Sequence, residues 1–322
     1  NYAFGFERMH TWLALAHSQI PVDFLSEKMI EEGWLSKYRV AYFSGTALTE
    51  KAAEQIKLWV LKGGVLILTA GAGMKDQFNR PMKILDSILP AERSCLIEIA
   101  RYLNSGRYLD SLSVADTVVV KETRSVLDVL SVKQTLKPKP GSAVLATFSD
   151  ASPAIVVGKA GRGNVYCYGF LPAIAYMRKA LIARNQLMKD TGEIEKIQEP
   201  AASKIATDQQ LLKRAFEPWQ YPEEYRNVIC MPVHQAGVNL PVICSAALVD
   251  ATVMDSEKGS VLVLSNYTFQ PIAELTLEVK PLRRVKRVES VHCGQIRFSQ
   301  HADRIRFSLP LQETDFVKIY YQ

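Results

Sequence analysis

Between Leu48 and Gly73 the chain reads LTEKAAEQIKLWVLKGGVLILTAGAG, and no other stretch constrains the fold as strongly. Thr49 is placed to cap a helix whose Ala52, Ile56, Trp59 and Val60 recur along one face. Gly63 and Gly64 stop that helix, as residues tolerant of positive φ commonly do. VLILTA follows, a continuous apolar run of the kind found in a parallel strand covered on both faces. The glycine-rich turn beyond it is where an α/β enzyme of this layout would carry a nucleophile. Thr69, Ala70, Gly71 and Ala72 fill that position, with no Cys, Ser or His among them.

The flanking pattern extends the same reading. Met9, Trp12, Leu13 and Ala16 recur at helical spacing, PVDFLS (Pro21 to Ser26) reads as a short strand, and YRVAYFSG (Tyr38 to Gly45) as a second. Strands joined through helices imply crossovers and a doubly wound sheet in which VLILTA pairs parallel to its neighbours. Such a sheet usually begins with a central strand, and NYAFGFER is a poor one, so the natural boundary is expected upstream of Asn1. From Thr117 the strands TVVVKE, AVLATFSD, PAIVVGKAG and NVYCYGFLP follow one another through turns, with a hairpin around Gly161 to Gly163. A helix is expected from Tyr176 to about Lys189.

Residues 190–225 are polar and weakly periodic, and read as a linker with one docking helix opened by the Thr207/Gln210 capping box. After Arg226 the pattern predicts all-β structure, with about seven short strands, PVICSAALVDATVM and GQIRFSQ among them, forming a sandwich over 226–322. Within DRIRFSL, Ile305, Phe307 and Leu309 alternate with Arg304, Arg306 and Ser308, which gives one core face and one wet face.

At 322 residues and 48% hydrophobic, the chain can bury two cores of ordinary size. No apolar run reaches the roughly 18 residues of a membrane helix. The formal charge is +6, and its densest cluster is KPLRRVKR. That stretch neither interleaves aromatics nor offers a recognition helix, so it does not read as a nucleic-acid face. Its cations read instead as guards on a solvated edge strand.

The five cysteines (Cys95, Cys167, Cys230, Cys244 and Cys293) show neither a disulfide framework nor CxxC spacing. Cys167 alternates inside NVYCYGF as a core residue, and Cys95 falls on a predicted helix. Cys230, His234 and Cys244 come nearest to a metal set, without matching a zinc spacing, so neither a metal nor a cofactor is expected. Gly71-Ala-Gly73 begins a dinucleotide fingerprint and then fails at Asp76. The best-placed polar group is the loop holding Asp76, Asn79 and Arg80, ahead of a helix opened by Pro81. Loops at strand ends bind ligands in open α/β folds, so these three are candidate ligand-binding residues; the same loop could simply cap helix-end amides.

Several stretches together resemble the later domains of bacterial β-galactosidase-like glycoside hydrolases. They are IPVDFLSE, YRVAYFSGTALTEKAAEQIKLWVLKGGVLILTAGAG with Asp76 and Asn79, GSAVLATFSDASPAIVVGKAGRGNVYCYGFLP, VLVLSNYTFQPI, VESVHCGQIRFS and RFSLPLQETDFVKIYY. The resemblance implies a β-galactosidase trimerisation domain over 1–189, with a flavodoxin-like, class I glutamine amidotransferase-like sheet lacking the amidotransferase cysteine. A smaller β-sandwich would follow it. It further implies an upstream catalytic barrel, which this chain lacks together with its glutamate pair, and a homo-oligomer, a trimer, formed through the α/β domain. Tyr2, Phe4, Phe6 and Trp12 are the candidate contact residues.

The expected function is a non-catalytic accessory or oligomerisation region in carbohydrate metabolism. One alternative is a carbohydrate-binding module using sandwich aromatics such as Tyr267, Phe269, Tyr320 and Tyr321; another is a small amidotransferase-like hydrolase using Cys167 or Cys95. No nucleic-acid or membrane partner is expected. The residues leave the compartment open, with a secreted or periplasmic bacterial setting as the expectation.

Overall fold

The computed structural model describes residues 3–99, 109, 112–190, 221–268 and 270–322. The docking helix expected after Thr207 therefore lies outside the described residues, as do Tyr2 and Phe269. Two compact units emerge: one gathers the described residues of 1–12, 23–183 and 221–238, the other those of 13–22, 184–190 and 239–322.

The first unit is built on a seven-stranded mixed sheet. In chain order its strands are β1 (Val40–Phe43), β2 (Val65–Leu68), β5 (Asp116–Val120), β6 (Val126–Val129), β9 (Ala143–Phe148), β10 (Pro153–Ala160) and β11 (Gly163–Tyr168). Short pairs made of β3 (Ala91–Arg93) with β8 (Leu136–Pro138), and β4 (Ile97–Glu98) with β7 (Val132–Lys133), lie outside that sheet. The spatial order is β1-β2-β11-β10-β9-β5-β6. VLILTA behaves as its composition predicts: β2 is buried along its whole length and parallel to both β1 and β11. Everything from β10 outward pairs antiparallel, through the expected hairpin, so the sheet is open and mixed.

Three helices flank this core in sequence: α1 (Ala3–Ala16), α2 (Glu27–Glu31) and α3 (Glu50–Leu61). The Thr49 hydroxyl accepts from Ala52 N at 3.2 Å and donates to Glu31 Oε1 at 2.6 Å, so one side chain caps α3 and ties it to α2. The stripe Ala52, Ile56, Trp59, Val60 enters a cluster with Leu66, Leu68 and Cys167. A Cβ on Gly64 would lie 2.3 Å from the Trp59 ring, which is why the stop after α3 has no side chain there.

α4 (Pro172–Asp190) begins earlier than the periodicity predicts, because Glu7 of α1 reaches across to cap it. Ala173 N donates to both Glu7 oxygens at 3.1 and 3.0 Å, and Ile174 N donates to Oε2 at 2.9 Å. Pro172 opens the helix without an N–H to satisfy.

PVDFLS is not a strand. Pro21 has no donor, Asp23 accepts from the Tyr38 hydroxyl at 2.9 Å, and Ser26 caps α2 through Met29 N. Pro81 opens no helix either; it bridges to Lys75, and only a 3-10 turn at Ile84–Ser87 follows. The largest departure is α5 (Glu223–Gln235), which occupies the start of the region read as β structure. Pro232 sits inside it and cannot donate to the Val228 carbonyl. The sheet repairs that loss. The Tyr168 hydroxyl donates to Val228 O at 2.9 Å, and the Tyr42 hydroxyl to the adjacent Ile229 O at 2.6 Å. Cys230, read as a β residue, is buried on this helix.

The second unit's β region is two antiparallel sheets. Its strands are β12 (Val242–Cys244), β13 (Val249–Asp255), β14 (Gly259–Asn266), β15 (Ile272–Val279), β16 (Val285–Ser290), β17 (Gly294–Ile296), β18 (Phe298–His301), β19 (Arg304–Leu311) and β20 (Thr314–Tyr321). One sheet runs β12-β15-β19-β18 and the other β13-β14-β20-β16-β17, around one shared apolar cluster. The alternation in β19 is as read, with Ile305, Phe307 and Leu309 buried. GQIRFSQ, read as one strand, divides at Arg297 into β17 and β18 on different sheets, and PVICSAALVDATVM likewise divides into β12 and β13.

KPLRRVKR is only partly strand. Residues 280–284 connect β15 to β16 across the sheets, and its last three residues, on β16, pair with β20 alone, because β17 joins β16 only at Val288–Ser290.

Candidate functional site

The turn after β2 is closed from within. Gly71 and Gly73 adopt φ of 76° and 62°, and a Cβ on Gly71 would fall 2.9 Å from Leu96 Cδ2. Each backbone donor of the turn has a partner in the protein. Thr69 N donates to Phe43 O, Ala72 N to Thr69 O and Gly73 N to Gly45 O. The amide that could serve a developing oxyanion, Gly71 N, donates instead to Gln134 Oε1 at 2.9 Å. Gln134 is fully buried, and its Nε2 donates to Ser94 O at 2.7 Å and touches Met74 Sδ at 3.0 Å. The Thr69 hydroxyl is taken by Ser44 Oγ at 2.8 Å, and the Ala72 carbonyl by Arg93. Gln134 went unnoticed in the sequence because VKQTLK carries no motif; its role exists only through contacts remote along the chain.

Cysteine chemistry has no footing beside this turn. Cys167 is 1% exposed, and burial pushes its thiol up to about 12, outweighing the nearby Arg93 and Lys139. Cys95 is exposed on a short loop between β3 and β4, not on a helix.

Asp76, Asn79 and Arg80 do come together, in one tight turn. Asp76 Oδ1 accepts from Phe78 N and Arg80 N, each at 2.8 Å, while Oδ2 accepts from Arg80 Nε at 2.6 Å. Asp76 N donates back to Arg80 O at 2.9 Å, Asn79 sits at φ 64°, and Lys75 Nζ donates to Asn79 Oδ1 at 2.7 Å. Desolvation opposes ionisation of Asp76, but the Arg80 and Phe78 amides and the Arg80 guanidinium outweigh it and hold the carboxyl below the usual range. The carboxylate is thus occupied by its own loop, while Asn79 and the outer part of Arg80 face solvent.

The aromatic candidates separate by burial. Phe4 is in the core, Phe6 stacks on His10 with centroids 5.9 Å apart, and Trp12 is 41% exposed beside Met9 at 48%. Tyr321 is buried and bonded to Ser260 and Leu282 N, which removes it as a stacking platform. Tyr320 lies under Arg287 at 4.2 Å, whereas Tyr267 is 57% exposed. Phe316, missed in the sequence, is 47% exposed on β20; the inward positions of Val317 and Ile319 mark it as outward by alternation. Among the described residues no group of three or more His, Cys, Asp or Glu could hold a metal ion, and no helix is long and apolar enough to cross a membrane.

A mixed α/β sheet followed by two antiparallel sheets is a fold that solved structures share. The family model described as the β-galactosidase trimerisation domain matches residues 6–189, more than half of the chain, and the chain belongs to that family. Among solved structures it is similar to Gan42B, a GH42 β-galactosidase from G. stearothermophilus, with a TM-score of 0.60, 12% identity and coverage of 97% of this chain and 35% of that one. The β-galactosidase of Bacillus circulans sp. alkalophilus gives a TM-score of 0.60 at 14% identity, covering 99% and 38%. The α-L-fucosidase isoenzyme 2 of Paenibacillus thiaminolyticus gives 0.56 at 12% identity, covering 98% and 45%. At these identities the likeness is one of fold, and the chain spans less than half the length of each. No curated relative matches it in sequence.

Proposed function

We propose that this chain is a non-catalytic accessory region of a bacterial β-galactosidase-like glycoside hydrolase, and that its α/β unit assembles the parent protein as a homotrimer. In this reading the sheet is flavodoxin-like and of class I glutamine amidotransferase-like layout, and a catalytic barrel upstream in the longer protein performs hydrolysis. The observation that carries the proposal is the Gln134 plug. It consumes the Gly71 amide at a turn that also lacks a nucleophile, so the position that would do chemistry is part of the core. The family's description, a trimerisation domain, supports the assembly role.

Sedimentation equilibrium of the chain and of the longer protein tests the assembly. A trimeric longer protein is expected, and one that stays monomeric at high concentration refutes the proposal. Glycosidase, esterase and glutaminase assays on the chain alone test the other half: turnover abolished by replacing Cys167 or Cys95 would overturn it.

A further inference from the structure

Lys280, Arg283 and Arg284 of KPLRRVKR lie on the β15–β16 connection rather than on a strand edge, so edge-guarding does not explain them, and the groove beside them supplies another reading. An open groove of about 570 Å³ lies between the β15–β16 connection and the β18–β19 turn. Lys280, Leu282, Arg283 and Arg284 form one wall, and Gln300 and Asp303 the other. Lys280 Nζ meets Asp303 Oδ2 at 2.8 Å across it, so one cation is neutralised in joining the walls. The connection's backbone is pinned: Lys280 N donates to Pro241 O at 2.9 Å, Leu282 N to the Tyr321 hydroxyl at 3.0 Å, and Arg284 O accepts from Gln322 N at 2.9 Å. Nearby cations have carboxylate partners, Arg287 with Glu289 at 3.1 Å and Arg306 with Glu278 at 3.8 Å. Arg283 and Arg284 are exposed, and no ion pair joins either to a carboxylate among the described residues.

We infer that this groove is a binding site for an anionic saccharide, a sugar unit carrying a carboxylate or sulfate group. Two guanidinium groups on a fixed backbone can take such an oxyanion through paired N–H donors. The Gln300 amide can serve hydroxyls on the opposite wall. Leu282, 66% exposed at the groove, offers an apolar surface to the C–H face of a sugar ring. An amide and an apolar side chain set beside the two guanidinium groups suit a saccharide's hydroxyls and C–H face better than a bare phosphate backbone. The inference concerns the β region alone and does not rest on the trimer reading.

Calorimetric titration of the intact chain with polygalacturonate, dextran sulfate, neutral galactan and single-stranded DNA tests it. Binding of polygalacturonate or dextran sulfate is expected, weakening as salt is raised, and which of the two binds separates a carboxylate from a sulfate site. The double variant Arg283→Gln/Arg284→Gln is expected to weaken that binding at least ten-fold, Leu282→Ser several-fold, and Lys159→Gln on β10 not at all. Absence of binding to both anionic glycans, or retention of wild-type affinity in the double variant, overturns the site. DNA binding of equal strength that ignores Leu282→Ser shows a general polyanion patch and overturns the saccharide assignment.

Discussion

Raising the pH from about 6.5 to about 8 should destabilise the first unit through one side chain, Glu7. Its carboxyl is fully buried, and burial lifts it from 4.5 to about 8 although Ala173 N and Ile174 N pull the other way. The group is therefore mostly neutral in the folded protein at pH 7 and ionised in the unfolded chain. An acid raised in this way gives stability that is complete below the unfolded value and is lost as pH rises towards the folded one. His10, one turn further along α1, works in the opposite sense. Burial lowers it from 6.5 to about 4, so its contribution is complete above the unfolded value and is lost as pH falls towards the folded one.

Between about pH 4 and 6.5 the two slopes oppose and nearly cancel; above that only the Glu7 slope remains. At about 1.4 kcal/mol per pKa unit, the loss from pH 6.5 to 8 amounts to roughly 1–2 kcal/mol. Urea unfolding followed by tryptophan fluorescence isolates the effect, because residues 239–322 contain no Trp whereas Trp12, Trp34 and Trp59 belong to the first unit. The Glu7→Gln variant sharpens the test. Its amide oxygen can still accept from Ala173 N and Ile174 N, but it cannot ionise, so the alkaline loss should vanish. The His10 slope should then stand alone, with stability rising by about 2–3 kcal/mol from pH 4 to 6.5. Identical pH profiles for wild type and variant, or wild-type stability that climbs above pH 6.5, would refute the reasoning and show that the helix amides hold Glu7 ionised.

Gln134→Leu strands the buried Gly71 amide and frees the Ser94 carbonyl at the surface, and should lower stability by about 1–3 kcal/mol in thermal unfolding; an unchanged midpoint would mean that the plug is incidental. Tyr168→Phe should cost about 1–3 kcal/mol in the wild type and clearly less beside Pro232→Ala, because the new helical N–H can then reach Val228 O. A double-mutant cycle with no coupling would dismiss the repair of α5 by the sheet. In thiol labelling of the native chain, exposed Cys95 and Cys293 should react promptly, and Cys167 and Cys230 only after unfolding; fast reaction at Cys167 would return a reactive thiol to the strand end.

What was legible in the sequence was local. Thr49, the stripe of α3, the double glycine and VLILTA each state their structure within a window of a few residues, and all of them hold. The Asp76 turn was also visible, because its bonds close within four residues; the same locality occupies the carboxylate before any ligand could. The antiparallel β region was legible as a pattern but not as a strand count, since a single corner residue, Arg297, moves the chain from one sheet to the other without breaking the alternation.

The features that decide what the first unit can do depend on distant partners. Gln134 reaches Gly71 across 63 residues, Tyr168 reaches Val228 across 60, and Glu7 reaches Ala173 across 166. Each is a side chain satisfying a backbone group that local structure leaves open: a turn amide, a carbonyl beside a helix proline, a helix N-terminus. A sequence window shows the vacancy at best, as Pro232 and Pro172 do, and never the side chain that fills it. Pro232 therefore reads as a helix breaker and hides α5, although Tyr225, Val228, Ile229 and Val233 carry a helical stripe around it. The same reasoning explains why the strand-end turn looked merely empty of chemistry in the sequence. In the fold it is occupied, and the residue occupying it is a glutamine that only the tertiary structure brings there.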